Sequence, residues 1–315
     1  MPLGTIYDLP AFFREKVTSV FSASVQQEHQ KFGNVGIVAP DWTTDQYLYW
    51  EREPVVLRDI TGQRGGKTPR GEFKASRRSA HKVQFQGAMT FDRRDTKRLE
   101  MATLPQSETN QDFMSAWNRQ VDLQKIKAAG RQALTVTPGS NATTAVALPS
   151  HMTVAVDFQK LAGSSGSNTG FTIFKMAEAI RQLEDLNVDL DRKSLTLAIS
   201  PRMKQNWIVY SQSAVNDLWA KMLGIWLSDP GKTLMGANVI VTTQLLEVST
   251  GIDEALLFTN DAFIMSDAAV EVKYDTLVDD NHAHQLTFYG EMGVERYKDE
   301  YVKRILSDRN GAMLN

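Results

Sequence analysis

No cysteine occurs anywhere in the 315 residues. Thiol catalysis, disulfide stapling, cysteine zinc sites and iron–sulfur clusters are therefore excluded. Long apolar runs are missing too. The longest stretch free of Lys, Arg, Asp and Glu, residues 132–156, contains Pro138, Gly139, Pro149 and many Thr, Ser and Asn residues. It would make a poor membrane helix. Asp8 and Arg14 interrupt the first residues, which lack the apolar core of a secretory signal. Asn141-Ala142-Thr143 fits a glycosylation acceptor, but without such a signal the pattern means little. No internal repeat or low-complexity tract is present. Nor is there an excess of one charge: 35 Lys plus Arg face 37 Asp plus Glu, a net of −2. Nothing global marks a binder of nucleic acid or of a membrane surface.

What is present is an ordinary globular composition, 42% hydrophobic and 23% charged, in a chain long enough for about two domains. Charge, near zero overall, is unevenly placed. From Arg58 to Lys82 eight basic residues oppose Asp59 and Glu72, a net of +6. From Glu247 to Asp280 nine acidic residues oppose Lys273 alone, a net of −8. Opposite blocks this far apart in sequence suggest complementary surfaces.

Residues 1–50 mix Gly, Pro, polar residues and scattered aromatics, and read as an arm or an irregular layer. Residues 52–91 read as a long β-hairpin: Val83, Phe85, Gly87, Met89 and Phe91 alternate with polar or small residues, and Gly62, Gly65, Gly66, Pro69 and Gly71 mark the tip. Its basic character predicts that it projects rather than lying in a core. Thr109 and Asp112 have the spacing of a capping box, and Phe113, Trp117, Val121 and Ile126 form a helical stripe that ends near Gly130. A second helix has Ile173, Met176, Ala177, Ile180 and Leu183 on one face. Leu195, Leu197 and Ile199 read as a strand that leads through Ser200, a good N-cap, and Pro201 into another helix. Residues 214–227 are helical in pattern, and Val239 to Thr243 form a short strand. Strands follow over 256–265 and 283–306, with His284, Leu286, Phe288, Gly290, Met292 and Val294 on one face. The class is α+β.

Signals for chemistry are weak. Gly66-Lys67-Thr68 ends like a phosphate loop, but Thr61 stands where the first glycine belongs and Pro69 opposes the helix that would bind phosphate. Gly231-Lys232-Thr233 has Trp226 in that place. His282 and His284 alternate on a strand beside Asp279 and Asp280 and could converge on a metal, yet a solvated strand end reads the same. No G-x-S-x-G elbow exists. Phe73 and Phe85 are the only aromatics interleaved with the basic strands, too few for a stacking platform. No catalytic, cofactor or metal residue is assigned.

The order of elements resembles that of the major capsid proteins of tailed bacteriophages, with the Hong Kong 97 fold. The stretches that carry the resemblance are FDRRDTKRLEMATLPQSETNQDFMSAWNRQVDLQKIKAAG (91–130), GFTIFKMAEAIRQLEDLNVD and LTLAISPRMKQNWI within 170–208, and YVKRILSD (301–308). The resemblance implies an N-terminal arm over 1–50 and an extended loop over 51–91. It implies a peripheral domain over 92–150 and 251–315, with a spine helix at about 107–130, and an axial domain over 151–250. It implies a structural protein, not an enzyme, that self-assembles into pentameric and hexameric capsomers of an icosahedral head. Further implied partners are packaged double-stranded DNA, a portal protein, a separate scaffolding protein (only about 50 residues precede the hairpin) and an optional decoration protein. The virion is the implied location, with assembly in the host cytoplasm and no membrane. An encapsulin-like nanocompartment shell, or an α+β hydrolase or metal enzyme using His282 and His284, are the alternatives.

Two contacts are expected on this reading. Phe12, Phe13 and Phe21 pack against a neighbouring subunit, because the arm has no period with which to bury them. Arg64, Lys67, Arg70, Lys74, Arg77 and Arg78 face acidic residues of a neighbour, chiefly Glu271, Asp275, Asp279 and Asp280.

Overall fold

The computed structural model describes residues 27–52, 75–91, 106–136, 143–160, 163–164, 168–213, 218–229, 231, 233–277 and 283–311. In chain order the elements are β1 (Ile37–Val38), β2 (Gln46–Arg52), β3 (Ala75–Phe91), α1 (Gln106–Gly130), β4 (Ala133–Val136), β5 (Thr143–Val146), β6 (Thr153–Val154), β7 (Phe158–Lys160), β8 (Gly163–Ser164), α2 (Ile173–Asp185), β9 (Leu195–Ile199), α3 (Pro201–Ser213), α4 (Leu218–Ser228), β10 (Ala237–Val241), β11 (Glu247–Ser249), β12 (Ile252–Thr259), β13 (Phe263–Met265), β14 (Ala269–Leu277), β15 (Ala283–Arg296) and β16 (Val302–Asp308). Two compact units emerge: one from segments Met1–Gln30, Val83–Val121 and Ala268–Glu291, the other from Lys31–Lys82, Asp122–Asp267 and Met292–Asn315.

The larger unit is built on a sheet of order β10-β9-β12-β16-β6, with β11 on β12. Strand β9 is buried at all five positions, because both of its faces are covered. Leu195, Leu197 and Ile199 face a cluster with Met176, Leu183, Trp207, Leu223 and Trp226 from α2, α3 and α4. Ala198 faces the other way, among Phe32, Ile126, Ala129 and Phe258. The β9–β10 pair is parallel, so its connection needs a crossover, which α3 and α4 supply. Helix α3 starts as the sequence predicts: the Met203 N–H donates to Ser200 Oγ at 3.2 Å, and Pro201 takes the first helical position, where its missing N–H is harmless.

Three expectations need correction. Residues 46–52, read as part of an irregular arm up to residue 50, form β2 and pair antiparallel with 75–81 of β3. The base of the hairpin therefore lies in the core, with Ala80 and Ser79 fully buried and Tyr49 nearly so. Thr109 does not cap α1. The helix begins at Gln106, which puts Thr109 inside its first turn. The strand read over 256–265 is two strands, β12 and β13.

Part of the expected arm is held by polar contacts. The backbone N–H groups of Lys31 and Phe32 donate to the Asp122 carboxylate at 2.8 and 3.2 Å, and Lys125 Nζ donates to the Phe32 carbonyl at 2.6 Å.

In the smaller unit, the stripe on the first part of α1 covers strand faces. The Phe113 ring stacks on Phe288, and Trp117 meets Phe85 edge-on and Phe288 at a tilt. Gly290 lets the indole in: a Cβ there would lie 2.4 Å from Trp117 Cζ3. The face expected on β15 is thus observed at Leu286, Phe288 and Gly290. Residues 283–291 of β15 pair antiparallel with the whole of β14.

Candidate assembly surfaces

Arg77 and Arg78 are neighbours on β3 with opposite fates, because successive strand residues point to opposite faces. Arg78 points inward and is 5% exposed. Its Nε donates to Glu51 at 2.6 Å and its Nη2 lies 3.0 Å from Asp299. Arg296, fully buried, donates from Nε to the same Asp299 at 2.6 Å and from Nη1 to the Arg131 carbonyl at 2.7 Å, just past the end of α1. A cation there complements the helix dipole. The guanidinium of Arg78 holds the Asp299 carboxyl below the usual carboxylate range against the opposing effect of burial. The expectation that Arg78 faces a neighbour is therefore corrected: its charge is used within its own chain.

Arg77 points outward. Its guanidinium carbon sits 5.7 Å from the centre of the Trp50 ring, directly across the β2–β3 pair. Trp50 is 61% exposed. Aromatic and Arg side chains standing free on a surface are common anchors of interfaces, and composition alone did not single Trp50 out.

Of the acidic residues named above, Glu271 and Asp275 lie on β14, where every residue but the last is exposed. Glu271 is 3.3 Å from Lys273, an exposed pair worth little alone. Val270, Val272 and Tyr274 alternate with them, each about 40% exposed. Among the described residues β14 has a ladder partner on one side only. Arg64, Lys67, Arg70, Lys74, Asp279, Asp280, Phe12, Phe13 and Phe21 lie outside the described residues, as do the Gly66-Lys67-Thr68 loop, Asn141 and His282.

Among the described residues the chemistry-bearing candidates assemble no site. His284 stacks on Tyr274 with ring centres 5.5 Å apart. Among the described residues no cluster of His, Asp and Glu could hold a metal ion. Trp226, where a phosphate loop would need glycine, is buried edge-on against Trp207. No helix among the described residues is long and apolar enough to cross a membrane.

The buried titratable groups were invisible in the sequence. Lys175, fully buried, donates to the carbonyls of Val156, Thr169 and Leu306 at 2.8, 3.0 and 2.8 Å, which uses all three of its protons. Glu254 packs against Gly130 at the end of α1, where a carboxylate opposes the helix dipole. Burial pushes its carboxyl up to about 7, with Arg304, Arg131 and the Leu246 N–H opposing. Burial likewise lifts Glu295 to about 7. Both carboxyls titrate higher folded than unfolded, so they stabilise the fold most below about pH 4.5 and lose that contribution as pH rises through 7. Burial lowers Lys175 to about 7 and Lys125 and Lys303 to about 8, so their linkage lies above this window, with stability rising toward 10.5. Glu254→Gln should therefore flatten the fall in stability between pH 5 and 7 by up to about 1.4 kcal/mol per pH unit. Urea melts at several pH values check this, and an unchanged slope would refute it.

Comparison with known proteins gives these surfaces their setting. No curated protein sequence matches the chain. Among solved structures, the capsid of Ralstonia phage GP4 superposes with a TM-score of 0.62 at 11% identity, covering 98% of this chain and 100% of that one. The capsid asymmetric unit of cyanophage Pam1 gives 0.62 at 10% identity, over 98% and 100%. Mycobacterium phage Che8 gives 0.56 at 14% identity, over 95% and 100%. At these identities the likeness establishes the fold, the Hong Kong 97 type. A family model described as phage capsid protein matches residues 14–296. With nine-tenths of its length inside that model and its fold shared with phage capsids, the chain belongs to the phage capsid protein family, a family of structural proteins of the virion shell rather than of enzymes.

Proposed function

We propose that this protein is the subunit from which pentameric and hexameric capsomers of an icosahedral head are built, around double-stranded DNA. Residues 151–250 take the axial role; 92–150 and 251–315, with α1 as spine helix, take the peripheral role. Assembly in the host cytoplasm uses a separate scaffolding protein, and a portal protein and an optional decoration protein join the shell. DNA meets the inner face without sequence preference, in keeping with the near-zero net charge.

The observation that carries this reading is β14. A nine-residue edge strand with eight exposed residues and three half-open apolar side chains is an aggregation hazard in a free monomer. Covered in a shell, it becomes an interface. The acidic Glu271, Asp275, Asp279 and Asp280 receive Arg64, Lys67, Arg70, Lys74 and Arg77 of a neighbour, and Phe12, Phe13 and Phe21 reach a neighbouring subunit.

Arg77→Glu should abolish particles while leaving the melting temperature of the unassembled subunit unchanged. Raising salt should weaken wild-type assembly, since screening acts within roughly 10 Å at 0.1 M. Sedimentation and electron microscopy read both. Normal particles from Arg77→Glu at low salt would remove the charged contact from the reading, whereas wild-type chain that never forms particles would remove the shell itself.

A further inference from the structure

Strand β14 stands at the edge of the smaller unit's sheet, with a ladder partner, among the described residues, only in β15. Directly opposite residues of an antiparallel pair share a face. Val270, Val272 and Tyr274 lie opposite Gly290, Phe288 and Leu286, so they share the face on which α1 packs. The helix does not close over them: they are 39%, 41% and 43% exposed. Glu271, Lys273 and Asp275 lie opposite Tyr289, Thr287 and Gln285 on the other face. The backbone N–H and C=O groups along such an edge are a template for another strand.

The sequence of β14 chooses that strand, because it is complementary to itself. A second copy run antiparallel and centred on Val272 sets Val272 on Val272, Val270 on Tyr274, and Glu271 on Lys273 twice over. Within one chain Glu271 and Lys273 already lie 3.3 Å apart, with side chains 63% and 52% exposed. The second copy gives each a further partner of opposite sign and closes an alternating ring of four charges. The neighbouring registers fail. Centred on Glu271, that residue meets its own copy; centred on Lys273, lysine meets lysine and Glu271 meets Asp275. Like charges directly opposite are destabilising. Centred on Tyr274, Lys273 meets Asp275, but Val272 falls on Thr276 and Val270 runs past the end of the strand. Centred on Val270, Val272 and Tyr274 both run past it.

Resting on the capsid reading, we propose that the outer edge of β14 pairs antiparallel with β14 of a second copy about a two-fold axis, over residues 269–275. The contact is isologous, and an icosahedral shell provides such axes. The two sheets become one, and the half-exposed apolar residues of both copies meet beside their helices. Asp275 falls opposite Ala269 of the second copy and keeps its charge for the basic residues of a neighbour. Seven residues a side are fewer than the roughly 20–30 of a stable interface. The pairing therefore forms within the shell, where other contacts add to it, and not between free subunits.

The absence of native cysteine makes the test clean. Directly opposite Cα atoms of an antiparallel pair stand about 4.5–5.5 Å apart, within reach of a disulfide. Oxidised particles of Val272→Cys should therefore run as covalent dimers on a non-reducing denaturing gel. Those of Val270→Cys should stay monomeric, because the two copies of that residue are offset by roughly 14 Å along the strands. Lys273→Glu surrounds the axis with four carboxylates and should abolish particles with no shift in the melting temperature of the unassembled subunit. Adding Glu271→Lys should restore them. Assembled Val272→Cys particles that stay monomeric would overturn the proposal, since another segment would then cover β14, and would leave the capsid reading intact. Dimers from Val270→Cys, or a charge exchange that restores nothing, would overturn it likewise. Wild-type chain that sediments only as a monomer would overturn the capsid reading and this contact together.

Discussion

Arg78→Ala should destabilise the unassembled subunit by about 3–5 kcal/mol, the range for removing one partner of a buried ion pair. The cause is what the substitution leaves behind. Glu51 and Asp299, with side chains 17% and 14% exposed, would keep their charges and lose the guanidinium that bonds both. Arg296 still reaches Asp299, but its Nη1 is committed to the carbonyls of Ala128, Ala129 and Arg131 around the end of α1. Arg78→Lys should recover only part of the loss, because one ammonium cannot reproduce a fork that engages two carboxylates. Urea denaturation of the two variants, with Arg77→Ala as the outward-facing, half-buried control, checks this. A loss under 1 kcal/mol for Arg78→Ala would mean that the network is open to water. The same logic forbids Arg78→Glu as an assembly probe, since three carboxylates would then crowd one site and unfold the subunit before any interface was tested.

Gly293→Val should be of similar severity. A Cβ at Gly293 would lie 2.3 Å from two ring carbons of Trp42 and 3.1 Å from the His81 carbonyl oxygen. Real Cβ contacts do not approach so closely, so the indole must leave. Trp42 is 3% exposed and stacks on Tyr47 at 5.4 Å, which leaves it nowhere to go without opening the core. Overpacking costs typically 1–3 kcal/mol and occasionally more; a rigid ring between a strand and a stacked neighbour belongs at the upper end. Trp42→Leu is destabilising alone, yet combined with Gly293→Ala it should lose less than the sum, because the shortened side chain vacates the space that the methyl needs. A thermal-melt double-mutant cycle measures the coupling. Strict additivity of the two substitutions would show that they do not share the space.

The contrast between Arg77 and Arg78 shows where the sequence stops. A block of eight basic residues is legible as charge, but burial of one of them depends on Glu51 and on Asp299, the latter 221 positions away. No local pattern encodes that meeting. Local patterns were legible: the alternation in β9 and β15, the stripe from Phe113 to Ile126, and Ser200-Pro201 at the start of α3. Each rests on period 2, period 3.6 or a capping hydrogen bond, all local physics. Strand β2 was missed because its aromatics, Tyr47, Tyr49 and Trp50, go to different environments, so no clean alternation of apolar and polar residues marks it. Lys175 stood unnoticed on the apolar face of α2, for its three carbonyl partners come from residues 6 to 131 positions distant.

Sequence alone thus determined the fold class, the absence of thiol chemistry, the unequal charge blocks and the element order that resembles the phage capsid proteins. Only the tertiary structure decided which charges are spent inside the subunit and which remain for a neighbour, and which glycines admit an indole. The physical reason is one and the same. Local periodicity records whether a residue lies on a buried face, but the sign of a buried charge's partner and the space left over a glycine are set by elements brought together from far along the chain.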